Sequence, residues 1–573
     1  MSKHVYQHLY TAEGEALSPN EIPWNTYPRP QMRRTEWLCL NGTWRFTAET
    51  PDGFKSDDIR VPFCPESLLS GIGFGVKPGA QMKYERTFTI PDGWRGKRIL
   101  LHFGAVSRSC RVYINGVDRA PVGTHENGYL PFSVDITDAL REGENTLTVY
   151  AVNDLDRAYP YGKQRKKRGG MWYTPCSGIW QTVWLEPVSE KNIEKLKISV
   201  DLTGADIEIC GVLSGVLTCA GEDYPFENGK VRIEPESPRL WSPEDPYLYD
   251  FTVKTEQDEI QSYFALRTVS IETVNGIPRL CLNGKPYFFH ALLDQGYYSD
   301  GLYTPASPSL YEQDILSMKS LGFNTLRKHI KIEPEQFYYD CDRLGMVVFQ
   351  DMVNNGRYRY FYDTILPTLR IRRLPERGRF YSKHRKGVFL MTMEETVALL
   401  FNHPSVCYYT IFNEGWGQFC ADDAYTYLKD LDGSRIIDTT SGWFQKKLSD
   451  VESSHFYFER LHLGKRQRPQ VLSEFGGYVW KDEKHSFNLS KTYGYKIFKT
   501  REDFAAALRS VYIEQILPLA RRGLCASVLT QLSDVEDETN GLLTFDRRVL
   551  KTKPEELSDV AKMLQSAVTS GKE

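Results

Sequence analysis

Long apolar runs, a surplus of charge of one sign and paired cysteines are what this sequence of 573 residues lacks. No stretch approaches the roughly eighteen apolar residues that a membrane-spanning helix needs. The opening Met1-Ser2-Lys3-His4-Val5-Tyr6 has no apolar core of signal-peptide length, so a cytoplasmic protein with no membrane partner is expected. A formal net charge of -3 gives no field for nucleic acid. The eleven cysteines include no CxxC pair, and those at Cys39, Cys110, Cys281 and Cys407 sit inside apolar runs. They read as reduced core thiols, which leaves no metal site or disulfide frame. A glycine-rich phosphate loop and a Ser-His or Cys-His catalytic pattern are missing too, so neither cofactor nor metal is expected.

What is present is enough apolar residue, 41%, to build about three cores, and a high aromatic share of 13% that suits the apolar faces of carbohydrate. Residues 1–188 read as an antiparallel β-sandwich or jelly roll, with short alternating runs such as Lys97–Phe103, Arg111–Ile114 and Asn145–Tyr150. Asn115-Gly116 carries the signature of a hairpin turn. Residues 189–273 repeat the alternation on the scale of an immunoglobulin-like sandwich that spaces its neighbours.

From 274 to 573 the rhythm becomes strand, helix, strand, helix. Eight strands are predicted, at Tyr287–Leu292, Phe323–Arg327, Met346–Gln350, Val406–Phe412, Arg435–Thr440, Ser454–Tyr457, Val471–Ser473 and Cys525–Thr530, the fifth and sixth with the weakest pattern. Helices are expected at Ser309–Leu321, Pro334–Leu344, Met391–Asn402 and Asp503–Arg521. Such alternation predicts a (β/α)8 barrel, whose working residues sit at the C-terminal ends of its strands. That rule selects Glu414 after strand four and Glu474 at strand seven. It also selects His290 and Asp294, Arg327 and His329, Asp351 and Asn354, Trp443, His455, and Gln531 with Asp534.

Two glutamates that end buried apolar runs, with no competing nucleophile pattern, point to glycoside hydrolysis. One carboxyl protonates the leaving oxygen and the other attacks the anomeric carbon or activates water. A separation of about 5 Å would indicate retention and one of roughly 6.5–9.5 Å inversion. Ionisation of Glu474 calls for a cation such as Arg327, and a proton-carrying Glu414 calls for a raised pKa. His403, before a proline at a strand entrance, reads as structural.

Several motifs in order carry a family resemblance: Gly128-Tyr129-Leu130-Pro131-Phe132, Asn153-Asp154, Trp172 through Trp184, Asn283-Gly284-Lys285-Pro286, Asn402-His403-Pro404-Ser405-Val406, Asn413-Glu414 and Ser473-Glu474-Phe475-Gly476-Gly477. The chain resembles glycoside hydrolase family 2, the β-galactosidase, β-glucuronidase and β-mannosidase family. The resemblance implies a retaining exo-β-glycosidase with Glu414 as acid/base, Glu474 as nucleophile and Asn413 on the sugar 2-hydroxyl. Where the family often shows Arg-x-Ser-His this chain has Arg327-Lys328-His329. The Asn-x-Lys motif of the glucuronidases has no match near Lys481–Lys491, which lowers the glucuronidase reading; β-galactosides are the leading expectation, and the alternatives are a β-uronidase acting on galacturonides, suggested by the basic loop after strand three, or a β-mannosidase. A non-catalytic carbohydrate-binding protein is the alternative from another class, and a homo-oligomer is compatible with the sequence. Trp416 and Trp443 are candidates for sugar stacking. The basic run Lys163–Arg168 reads as a solvated or domain-contact loop, and the basic residues between 370 and 386 as a lid, a subunit contact or a cationic lip for an acidic sugar.

Overall fold

A computed structural model describes residues 5–569 apart from 51–52, 74, 370, 372–374, 458 and 465–466. The first domain is a pair of antiparallel sheets. Six strands, with Glu144–Val152 between Gln81–Thr89 and Ser109–Ile114, form one layer, and Val183–Val188 with Arg98–Phe103 centre the other. Their inward residues, among them Trp44, Tyr84, Leu101, Val112 and Leu147, fill the space between them. Asn115-Gly116 closes no two-residue hairpin, because Ser109–Ile114 next pairs with Gly123–His125. The Asn115 side chain instead donates to Ala139 O and Asn145 Oδ1, and so holds the longer connection to the sheet.

In the middle domain seven strands form one antiparallel order, and Ala205–Cys210 alternates buried and exposed along its length. Its two halves meet at one pair, Glu227 opposite Lys230. The hairpin Val269–Val274 with Ile277–Leu282 then crosses the expected boundary at 273 and lies under the barrel, where Arg279 donates to the carbonyls of Ala520 and Leu524.

The eight barrel strands are β1 (Phe289–Asp294), β2 (Thr325–Lys328), β3 (Val347–Asp351), β4 (Val406–Asn413), β5 (Ile436–Ser441), β6 (Glu452–Phe456), β7 (Gln470–Gly476) and β8 (Leu524–Thr530). All are parallel and run in the order β5-β4-β3-β2-β1-β8-β7-β6. Buried on both faces, β3, β4 and β8 carry the near-continuous apolar runs of a parallel sheet, whereas β5 and β6 are more polar. Between β5 and β6 there is no backbone ladder. Side chains bridge the seam, with Ser453 Oγ donating to Asp438 Oδ1 at 2.9 Å and Ser441 Oγ meeting His455 Nε2 at 3.0 Å.

Helix α1 (Ser309–Ser320) follows β1 and α2 (Glu335–Leu344) follows β2. Helix α3 (Lys383–Leu400) begins eight residues before the expected start, N-capped by Ser382, whose hydroxyl accepts from the Arg385 amide. Lys383, Arg385 and Lys386 are therefore helical rather than part of a loop, against the usual preference for acids in a first turn. The basic residues Arg370, Arg372 and Arg373 lie outside the described residues. The helix predicted at Asp503–Arg521 is α4 (Arg501–Val511) and α5 (Leu517–Arg521) joined by a π-turn at Tyr512–Ile516, which accommodates the missing N–H of Pro518.

Asp342, fully buried near the end of α2, accepts from the Ser405 amide at 2.8 Å and Tyr263 OH at 2.7 Å and meets His403 Nδ1 at 2.6 Å. It fastens the middle domain to the entrance of β4, which gives His403 the structural place expected of it. Asp342→Ala leaves buried donors without a partner and should lower stability by about 3–5 kcal/mol. Equilibrium denaturant unfolding checks this, with KM unchanged because the cluster lies at the far end of the barrel from the two glutamates.

Candidate active site

Glu414 follows β4 with a left-handed backbone, φ 52°, a strained conformation for a residue with a Cβ and one that clusters at functional sites. Its carboxylate lies 2.9 Å from His455 Nδ1 on β6. The His455 ring fits against Gly442, φ 90°, where an added Cβ would come within 2.8 Å of the ring. Glu474, on β7, accepts from Arg327 Nη1 at 3.1 Å and from the Tyr457 hydroxyl. One oxygen from each glutamate and a His455 nitrogen lie within 4.8 Å of one another.

Arg327 holds this group together. Its guanidinium, 1% exposed, donates to Asp351 Oδ1 at 2.9 Å, Ser473 O at 2.8 Å, Glu474 Oε1 at 3.1 Å and Asn413 Oδ1 at 2.8 Å, joining β2 to β3, β4 and β7. Burial alone would push both carboxyls up. For Glu474 the charges of His455 and Arg327 and the Tyr457 hydrogen bond outweigh burial and bring it down to about 2. For Glu414 burial wins, opposed by the His455 hydrogen bond and reinforced by the Glu474 charge, and its pKa rises. The site thus holds an ionised carboxylate beside one biased to keep its proton.

The first domain completes the wall. Its arm from Tyr161 to Tyr173 crosses the barrel mouth, with the Tyr161 amide donating to Asn354 O. Trp172 stacks on Trp416 at 5.4 Å between ring centres, and Lys163 Nζ lies 4.9 Å from the Trp416 ring. Tyr173 OH donates to Glu538 Oε2, and Arg168 reaches Glu536 and Asp537. In the basic run Lys163–Arg168, Arg168 is therefore a domain contact, whereas Lys166 and Lys167 are exposed.

Sequence profiles described as "Glycosyl hydrolases family 2" match along the whole order of domains: the sugar binding domain at residues 76–187, the family 2 domain at 185–267 and the TIM barrel domain at 279–477. The chain belongs to glycoside hydrolase family 2. Among relatives, this family 2 hydrolase is 25% identical over 465 residues to a β-glucuronidase of Paenibacillus borealis, and 26% identical over 304 residues to a β-galactosidase of Thermoanaerobacter pseudethanolicus. The matches cover 72% and 47% of this chain, and 73% and 39% of those proteins' own lengths. A solved β-D-glucuronidase of Dictyoglomus thermophilum superposes with a TM-score of 0.72 at 17% identity, over 95% of this chain and 99% of the other, a likeness of fold.

The structure gathers Glu414, Glu474, Asn413, Arg327, His329, Asp351 and His455 into one group, and His329 Nδ1 lies 2.7 Å from Asp351 Oδ2. Burial depresses the His329 pKa to about 4. With Nδ1–H donating to the Asp351 carboxylate, its Nε2 is an acceptor. Trp443 packs edge-on against His455 at 5.3 Å. Gln531 stands one layer back, where it accepts from Gln295, donates to Asn540 Oδ1 and so braces the Asn540–Glu538 bond. Trp416 is buried against Trp172 and Tyr358 and walls the mouth.

Two expected site residues of β1 are placed elsewhere. His290 packs between Phe323 and Tyr512 on the helix side of β1, with Nδ1 at Gly322 O. Asp294 pairs with Lys328 Nζ at 2.6 Å, also outside the ring around the glutamates. Side chains alternate along a strand, and on β1 it is Ala291 and Leu293 that turn inward. Asp534 is likewise occupied, by Lys551 at 2.6 Å. Residues the sequence reasoning passed over are Tyr457, Trp172, Lys163 and Glu538. Tyr457 had a signal, since it follows β6 directly; the others depend on how distant segments meet.

Glu414, His455 and Glu474 are, among the described residues, the one group of histidines and acids close enough to hold a cation. Arg327 and Tyr457 already occupy Glu474, so a metal there would compete with a fixed guanidinium. No helix among the described residues is long and apolar enough to cross a membrane.

The split between the two glutamates sets a pH profile. Activity should rise as Glu474 ionises and fall as Glu414 loses its proton. His455 favours the charged form of both carboxyls. His455→Phe should therefore move both limbs of the kcat/KM profile to higher pH, which initial rates across the pH range measure.

Proposed function

We propose that this hydrolase is an exo-acting, retaining β-glycosidase. The observation that carries the reading is the pair of carboxylates, with oxygens no more than 4.8 Å apart and pKa values driven in opposite directions. That close approach of one oxygen from each supports the retaining arrangement, whose carboxyls stand about 5–5.5 Å apart, over the roughly 6.5–9.5 Å of inversion. Glu474, ionised, attacks the anomeric carbon while Glu414 protonates the departing oxygen; Glu414 then takes a proton from water as the glycosyl–Glu474 bond breaks. Asn413 gives its Oδ1 to Arg327, which leaves its NH2 for the 2-hydroxyl of the sugar. An arm of the first domain across the barrel mouth favours one terminal sugar over a chain running through. The relatives' names supply two candidate classes for that sugar, β-galactosides and β-glucuronides.

Glu474→Gln should lower kcat on the order of 10⁴-fold or more, as loss of a covalent nucleophile does. Glu414→Gln should cost about 10²–10⁴-fold on aryl glycosides with poor leaving groups and much less on dinitrophenyl glycosides, which depart without a proton. Proton NMR of the first-formed sugar should show the β-anomer; the α-anomer would refute retention.

A further inference from the structure

Resting on the glycosidase reading, we infer that Lys163, delivered to the barrel mouth by the first domain, is the cation that receives the carboxylate of the substrate sugar, so that β-uronides are the preferred substrates. Lys163 is 7% exposed, with Nζ 4.9 Å from the Trp416 ring and 5.9 Å from the Trp172 ring. The other buried lysines at this level are paired: Lys328 with Asp294 at 2.6 Å, Lys331 with Glu333 at 2.8 Å and Lys551 with Asp534 at 2.6 Å. Lys163 has no carboxylate within ion-pair reach among the described residues. A buried ammonium without a counter-charge is costly, and the cost is relieved if a ligand brings the anion.

Its surroundings place that ligand in the sugar site. The ammonium lies 4.9 Å from the ring of Trp416, which follows β4 and itself meets His329 beyond β2, and its charge acts on Glu414, Glu538 and His329. Neither acid is free to pair with it, because Glu414 is held by His455 and Glu538 by Tyr173 and Asn540. Other cations nearby are engaged. Lys481, in the loop after β7, donates to the carbonyls of Asn488, Leu489 and Lys491, and Arg168 is on Glu536 and Asp537. A neutral hexoside would offer Lys163 only a hydroxyl, whereas a uronate brings the counter-charge that the buried ammonium lacks.

The full-length protein and its Lys163→Met and Lys163→Arg variants are assayed on 4-nitrophenyl β-D-glucuronide, β-D-galacturonide and β-D-galactoside. The wild type should prefer a uronide by at least about 100-fold in kcat/KM, since a site built for a polar partner rejects analogues lacking it. Lys163→Met should lower the uronide-to-galactoside ratio by about 100-fold, mainly through KM, and Lys163→Arg should restore most of it. A wild type that prefers the galactoside, or a Lys163→Met that lowers all three substrates in equal proportion, overturns the inference and leaves the glycosidase reading standing. A wild type that cleaves none of the three overturns both.

Discussion

The Arg327 guanidinium is the interaction on which the site depends. A buried arginine keeps its charge under all ordinary conditions, so it must be surrounded by acceptors, and β2 places it where β3, β4 and β7 each supply one. The planar fork fixes those acceptors relative to one another. Asp351, Asn413 and Glu474 come from segments up to 147 residues away from it, yet their geometry is set by one rigid group. The same charge helps keep Glu474 ionised, so alignment of the strands and tuning of the carboxylate have one cause.

The seam between β5 and β6 shows a different solution. Most of the barrel is closed by backbone ladders, whose strands need only be apolar. At the seam the closing bonds come from side chains, Ser453 to Asp438 and Ser441 to His455, and these strands carry serine, threonine, aspartate and histidine in place of valine and leucine. That is why β5 and β6 have the weakest pattern in the sequence. His455 belongs to both systems, since one ring nitrogen spans the seam and the other holds Glu414.

What could be read in the sequence follows from how local the cause is. All eight strands were legible, because apolar runs between helical segments report burial directly, and so were both glutamates, as charges that end such runs. The sandwiches were legible through period-two alternation. His290 and Asp294 were misplaced because strand ends were counted without regard to which face each residue takes; on β1 the inward set is Phe289, Ala291 and Leu293, and on β2 it includes Arg327. The early start of α3 was hidden because cations crowd its first turn, where the helix dipole disfavours them. Lys163 read as part of a solvated or domain-contact loop because a run of basic residues is ordinarily solvated, and nothing within it reports that Trp172 and Trp416 will lie against it.

The separation of the two carboxyls also explains why a barrel alone is an incomplete description of the site. Raising Glu414 requires burial, and burial at the mouth of an open barrel has to be supplied by something laid across it. The arm from the first domain does this with Trp172 stacked on Trp416 and Tyr173 bonded to Glu538. Excluding water strengthens every charge interaction inside, those that lower Glu474 as well as those that raise Glu414. The arm brings a charge of its own in Lys163, which lowers Glu414 slightly and so works against the enclosure that raises it. A lysine kept there against that effect makes most sense as a contact for the substrate rather than as part of the scaffold, and a contact that only the assembled domains can offer.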